Sequence, residues 1–143
     1  MSLSDLSKKR IIEQFRSEPQ QVRDQMDLAR AKLKSAKNIL GINEWEEAHN
    51  AAYHAMQAAG RALMYDKGYR PMSADHHVAV ILFVQAVHGN KFGPEVLKAF
   101  DNARKKRSES LYDAADTISP TQAKNLVTKA EFFVSKAAAI LKL

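Results

Sequence analysis

The stretch PEVLKAFDNARKKRSESLYDAADTI, residues 94–118, decides how this chain folds. An α-helix turns by about 100° per residue, and at that spacing the apolar residues of the stretch fall on one side. They are Val96, Leu97, Phe100, Leu111, Ala114, Ala115 and Ile118. The pattern predicts one long amphipathic helix, whose apolar side must be covered by other helices.

Two arginines of this predicted helix, Arg104 and Arg107, fall inside the apolar stripe rather than opposite it. A guanidinium group that faces a core costs free energy unless it is paired or borders a water-filled cleft. One interpretation is therefore a cleft, lined by these arginines, that binds an anion. The other is that both side chains extend to the surface or pair with carboxylates at the edge of the core.

The rest of the chain shows the same helical spacing of apolar residues. Further helices are predicted over residues 20–40, 43–67, 74–87 and 120–142. Ser119 and Gln122 form a capping box around Pro120 at the start of the last helix, and Ser73 can cap the short one. We therefore expect an all-α fold, an up-and-down bundle of four long helices plus short additional helices. Residues 1–18 are expected to form an N-terminal helix or arm, and residues 19–143 the bundle domain.

The composition limits the classes of function. The chain of 143 residues suits one domain, and 5 glycines and 4 prolines suit helices. It has no cysteine, which excludes disulfides, thiol catalysis and cysteine-bound zinc. The net charge of +6 favours anionic partners such as nucleic acid or nucleotides. Without a long apolar run or an apolar leader, the sequence predicts a cytoplasmic protein with no membrane partner.

The histidines do not have the spacing of a metal site. His76 and His77 are adjacent, so on a helix they point about 100° apart and cannot share one ion. His77 shares a face with Ile81, whereas His76 lies nearer to solvent. His49 falls on an apolar stripe, which favours a core histidine with satisfied hydrogen bonds over a ligand role. We expect neither a metal nor a cofactor.

Two segments resemble the HEPN domain family. The run AHNAAYHAMQAAGRALMYDKG, residues 48–68, is similar to the second long helix of that family, and His76 or His77 stands where many members carry a histidine after the glycine. The segment from Arg104 to Asp113 resembles the family's Arg-x-x-Arg-x-x-x-x-Tyr-Asp helix. The order and spacing of these motifs extend the resemblance over residues 20–142.

The resemblance implies a helical bundle that is usually a homodimer, with both protomers contributing to one cleft. Many members are metal-independent endoribonucleases whose signature is an arginine, four to six residues, and then a histidine. Arg107 matches the arginine, Ser108 the polar residue that often follows it, and Tyr112 stands at the histidine position. A tyrosine phenol, with a reference pKa near 10, is a poor base at pH 7, although it can donate a hydrogen bond to a phosphate.

Three functions are left open by these observations. We favour a non-catalytic HEPN-like module that binds a nucleotide or RNA, or that partners a small nucleotidyltransferase in a toxin–antitoxin type system. The first alternative is an endoribonuclease with Arg107 and Tyr112 as catalytic residues, and the second is a helical scaffold. The expected ligand-binding residues are Arg104, Arg107, Ser108, Tyr112, His76 and His77.

Overall fold

The structure, a computed structural model, describes residues 1–72, 74–112 and 118–143, and for residues 108–112 it describes the backbone alone. Its elements are α1 (Leu3–Lys8), β1 (Ile12–Gln14), α2 (Pro19–Leu40), α3 (Trp45–Asp66), β2 (Tyr69–Pro71), α4 (His76–Phe92), α5 (Pro94–Tyr112) and α6 (Pro120–Leu141). The predicted all-α bundle of four long helices is confirmed, with α2, α3, α5 and α6 as the long helices.

Helix α3 is the centre of the bundle and packs against α2, α4, α5 and α6. Its alanines at positions 48, 51, 52, 55, 58, 59 and 62 are buried. Small side chains allow the neighbouring helices to approach closely. At Gly60 the approach is closest, because a Cβ atom there would overlap with Cγ1 of Val80 on α4.

Three phenylalanines join the helices that follow α3. The rings of Phe92 and Phe133 stack with centroids 4.4 Å apart, and Phe100 meets Phe133 edge to face at 5.2 Å. Such aromatic pairs add to the free energy gained from burial of their area. These ring contacts join α4 and α5 to α6.

Two short strands, which were not predicted, accompany the helices. β1 pairs antiparallel with β2, with Ile12 opposite Pro71 and Gln14 opposite Tyr69. Strands of three residues are too short to show an alternating pattern, so no periodic signal marks them in the sequence. Leu6 and Ile12 are buried in the core. The domain boundary after residue 18 stays a prediction.

Helix α4 has different ends from the predicted ones. It begins at His76, where the Asp75 carboxylate accepts a hydrogen bond from the Val78 N–H at 3.1 Å, whereas the predicted cap, Ser73, lies outside the described residues. The predicted end at residue 87 coincides with a kink, because His88 has non-helical backbone angles (φ −126°, ψ 15°), and a short helical segment follows the kink to Phe92.

The start of α6 is the predicted one. The Ser119 hydroxyl accepts a hydrogen bond from the Gln122 N–H at 3.1 Å, and the Gln122 side-chain oxygen accepts one from the Ser119 N–H at 2.8 Å.

His49 is buried as predicted, but its Nδ1 has no hydrogen-bond partner among the described residues. The expectation of a histidine with all its hydrogen bonds satisfied is therefore wrong.

Within the described ranges, each helix is too short or too polar to cross a lipid bilayer.

Candidate anion-binding site

A line of polar residues runs along the otherwise alanine-rich α3. His54, Gln57 and Arg61 follow the spacing that places side chains on one face of a helix. His54 and Arg61 are half-buried and Gln57 is buried. The Arg61 Nε donates to the Gln25 side-chain oxygen on α2 at 2.9 Å, so this guanidinium is held in position.

Helix α4 is tied to this face by its first turn. The Tyr53 Oη and the His77 Nδ1 lie 2.6 Å apart, and the two rings are nearly parallel with centroids 5.7 Å apart. The Gln57 side-chain amide also donates to the backbone oxygen of His77 at 3.1 Å. Tyr53 is fully buried, and its burial raises the pKa of the phenol above its usual value. The phenol is therefore neutral and His77 has a fixed orientation.

The charge of Arg107 on α5 acts on the same histidines. Burial, and after it the positive charge of Arg107, lowers the pKa of His54 to about 4. The same two causes lower the pKa of His77, although Asp75 opposes the shift. Lys32 and Arg61 also contribute positive charge at His54. The basic groups of four helices thus converge on one region.

We call Lys32, His54, Arg61, His77 and Arg107 the basic cluster. Among the side chains that the structure describes, no carboxylate forms an ion pair with Arg61 or Arg107. Both histidines are neutral at pH 7 because their pKa values are lowered, so each ring offers one N–H donor and one acceptor nitrogen. Guanidinium groups near neutral imidazoles suit the recognition of an anion with several oxygens, such as a phosphate.

Arg104 behaves differently from Arg107. Its Nη2 lies 3.0 Å from the Asp101 Oδ1, its Nε donates to the same oxygen at 3.1 Å, and its side chain is 26% exposed. Lys105 contacts the other oxygen of Asp101 at 3.4 Å. The interpretation that the arginines pair with carboxylates at the edge of the core is therefore correct for Arg104.

The structure brings together only part of the predicted site. His77 and Arg107 lie in the basic cluster, while His76 is exposed and Arg104 is paired. The side chains of Ser108 and Tyr112 lie outside the described residues. Four residues of the site were not predicted from the sequence, namely Lys32, Tyr53, His54 and Arg61. The polar line on α3, spaced by three and four residues within an alanine-rich helix, is the signal that could have identified two of them, His54 and Arg61.

A scan against protein-family models matched the description "HEPN domain" over residues 22–140. The chain belongs to the HEPN family. The crystal structure of TT1696 from Thermus thermophilus is similar to this HEPN domain, with a TM-score of 0.64 and 20% sequence identity. The match covers 82% of this chain and 96% of that one, and at this identity it shows a shared fold. A search of curated proteins returned no match.

The metal-binding potential of the described residues is low. They contain no group of three or more histidine, aspartate or glutamate side chains that could hold a metal ion. The basic cluster itself is lined by positive charge, which repels a metal cation and attracts an anion.

Proposed function

We propose that this HEPN domain binds the phosphate groups of RNA or of a nucleotide through the basic cluster, without chemical turnover. The observation that supports the proposal most is the convergence of Arg107 and Arg61 on the neutral rings of His54 and His77. In the free protein the positive charges repel one another. A bound phosphate relieves that repulsion and accepts hydrogen bonds from both kinds of side chain.

The donors of the basic cluster suit the oxygens of a phosphate. Guanidinium groups bind phosphate oxygens through two parallel hydrogen bonds, whereas imidazole N–H groups add single donors. Burial strengthens these contacts because the local dielectric constant is lower than in water. Ser108 and Tyr112, which follow Arg107 along α5, stay predicted contributors of hydroxyl groups.

The resemblance to the family supports a finer form of the proposal. Two copies of the chain would form a homodimer in which the two basic clusters face one composite cleft, so that a single RNA strand contacts both. The partner would be a small nucleotidyltransferase of a toxin–antitoxin type system, in the cytoplasm. Residues 19–143 would form the binding domain, with residues 1–18 packed against it.

The test compares Arg107→Ala with Arg23→Ala in titrations of a fluorescently labelled single-stranded RNA. Both variants lose one positive charge, but Arg23 is exposed on α2 and contacts Gln20. We expect Arg107→Ala to weaken binding at least tenfold, since a hydrogen bond to a charged group contributes about 1.5–3 kcal/mol. Arg23→Ala should change the dissociation constant less than about twofold, as expected for a distant charge.

The salt dependence adds a second readout. For a single strand, loss of one phosphate contact lowers the slope of log affinity against log salt by about 0.7. Equal weakening by the two variants, with equal slopes, would show that the chain attracts RNA only through its net charge, and the proposal would fail.

A second candidate function is metal-independent RNA cleavage, which one observation favours. No histidine follows Arg107 in the sequence, yet the charge of Arg107 acts on His54 and His77, which come from other helices. Because the His77 Nδ1 contacts Tyr53, its Nε2 is the nitrogen left for proton transfer, with Arg107 stabilising the phosphate in the transition state. Tyr112 stays the alternative partner of Arg107.

The two functions are separated by incubating RNA with purified protein in the presence of a chelator. Cleavage that is lost in both Arg107→Ala and His77→Gln would establish the ribonuclease and would identify the histidine it uses. Intact RNA at high protein concentration, together with saturable binding, would establish the non-catalytic module instead.

A further inference from the structure

A cavity that is open to solvent lies on another side of α5, between α5 and α6, with α3 behind it. Its volume is about 470 Å³. The polar residues that line it include His49, Asn102, Lys105, Lys106, Asn125 and Lys129. No carboxylate is among the described residues of its lining. The volume lies within the range of small-molecule sites, about 300–1,000 Å³, and it shares no lining residue with the basic cluster.

His49 forms the inner wall of this cavity and carries an unsatisfied polar atom. The residue is 5% exposed, and its Nδ1 is enclosed with no hydrogen-bond partner among the described residues. An unpartnered buried polar group costs about 1–3 kcal/mol. The His49 proton is therefore better placed on Nε2 than on the enclosed Nδ1. The reason is that a buried nitrogen lone pair without a partner is tolerated more readily than a buried N–H without one. That tautomer leaves an Nε2–H donor for a molecule in the cavity.

The other lining groups also favour a ligand with acceptor oxygens. Three lysine side chains surround the cavity, of which Lys105 also contacts Asp101 at 3.4 Å. Gln122 lines the cavity as well, and its side-chain oxygen is already used by the Ser119 N–H at 2.8 Å, so its NH₂ group is the part left to donate. Burial and the charge of Lys106 lower the pKa of His49 to about 4, so the ring is a neutral donor at pH 7.

We propose that this cavity binds a small organic phosphate, a phosphate ester whose other end carries hydrogen-bonding groups. The amines of Lys105 and Lys129 contact the phosphate oxygens, and the His49 Nε2–H donates to the ligand at the inner wall. The carboxamides of Asn102 and Asn125 bind the organic part, because an amide offers both a donor and an acceptor. The ligand is a nucleoside monophosphate or a sugar phosphate, which share this chemistry.

The test is calorimetric titration of the full chain with adenosine 5′-monophosphate, ribose 5-phosphate and inorganic phosphate. Lys129→Ala is compared with Lys136→Ala, two turns further along the same helix, where the amine lies 5.8 Å from the Phe132 ring centroid and away from the cavity. Both lysines are half-buried. We expect Lys129→Ala to raise the dissociation constant of at least one organic phosphate about tenfold, and Lys136→Ala to leave it unchanged.

Nitrogen NMR of the His49 ring distinguishes a seated ligand from general attraction to a basic surface. Binding in the cavity shifts the His49 ring signals while those of His54 stay in place. Asn125→Ala, at an exposed position, serves as a second variant if Lys129→Ala loses stability. Tighter binding of the nucleotide than of ribose 5-phosphate supports a nucleotide, and equal binding supports a sugar phosphate.

Three results would overturn the proposal. One is the absence of saturable binding by both organic phosphates. Another is inorganic phosphate binding as tightly as the esters, which would leave the carboxamides without a role. The last is equal weakening by Lys129→Ala and Lys136→Ala, or loss of binding in Arg107→Ala alone, which would assign the phosphate to the basic cluster.

Discussion

His49 and His54 lie on the same helix, and burial is the main reason that the pKa of each is lowered to about 4. Their surroundings nevertheless differ. His54 is half-buried and receives positive charge from Arg107, Lys32 and Arg61, whereas His49 is buried beside a lysine-lined cavity and lacks a partner for Nδ1 among the residues described. A shifted pKa therefore does not identify a site by itself. The contacts around each ring decide which ligand it suits.

The largest expected effect comes from Gly60→Leu, which breaks the basic cluster and spares the cavity. A side chain at position 60 must overlap with Val80, so α4 is displaced and His77 loses its contact with Tyr53. We expect the free energy of unfolding to fall by about 3 kcal/mol or more, measured by urea denaturation. Gly89→Ala is the control, because a Cβ atom there meets nothing within 4 Å. A Gly60→Leu protein as stable as the control would contradict the close packing of α3 and α4.

The next largest expected effect is on stability in acid, to which His49 and His54 should contribute differently. Each folded-state pKa lies near 4, below the reference value of 6.5, so the unfolded chain binds more protons between these values. The contribution to stability is complete above about pH 6.5 and is lost as the pH falls towards 4. For His49 it is on the order of 3 kcal/mol, and for His54 it is smaller because solvent screens a half-exposed ring.

Denaturation at pH 7 and pH 4.5 measures this difference. His49→Leu should lose less stability on acidification than the wild type, and His54→Leu should lie between the two. The protonation of carboxylates affects all three proteins alike, so it cancels from the comparison. An unchanged loss in His49→Leu would mean that the ring is already solvated in the folded protein.

The smallest effect is expected from Tyr53→Phe, which changes the surroundings of His77 but not those of His49 and leaves the packing intact. The change removes the hydroxyl that contacts the His77 Nδ1 at 2.6 Å, at a cost of about 1 kcal/mol of stability. RNA binding should weaken a few-fold, because His77 loses its fixed orientation, while the His49 ring signals stay unchanged. Tyr69→Phe, whose hydroxyl makes an exposed 3.3 Å contact with Gln14, is the control. Equal effects of the two changes would remove Tyr53 from the site.

The sequence was sufficient for much of the fold because the signals were local. The capping box at Ser119 and Gln122 and the apolar spacing along the helices both depend on neighbouring residues, and both appear in the structure. The pairing of Ile12 with Pro71 was missed because it joins distant segments of three residues each. The helix predicted over residues 74–87 ends at the kink at His88, whereas the short helical segment that follows it to Phe92 was not predicted.

The candidate site was harder to predict than the fold. The position of Arg107 within an apolar stripe drew attention to α5, yet the same pattern could not separate Arg107 from Arg104, which pairs with Asp101. The proximity of Arg107 to His54 and His77 depends on how three helices pack, and no spacing along one helix encodes that. The unpartnered Nδ1 of His49 likewise follows from the surroundings of a buried ring, which are set by the packing of other helices.

The short β1–β2 ribbon has a consequence for how the molecule opens. β1 precedes α2 and β2 follows α3, and the pairing extends through the Phe15 N–H to the Gly68 oxygen and the Met72 N–H to the Ile11 oxygen, both at 2.9 Å. The segment from β1 to β2, which contains α2 and α3, therefore forms a closed loop. The hydrogen bonds between β1 and β2 close it at one end, and the turn between α2 and α3 closes it at the other. In hydrogen–deuterium exchange, the ribbon and the facing ends of α2 and α3 should lose protection as one cooperative unit.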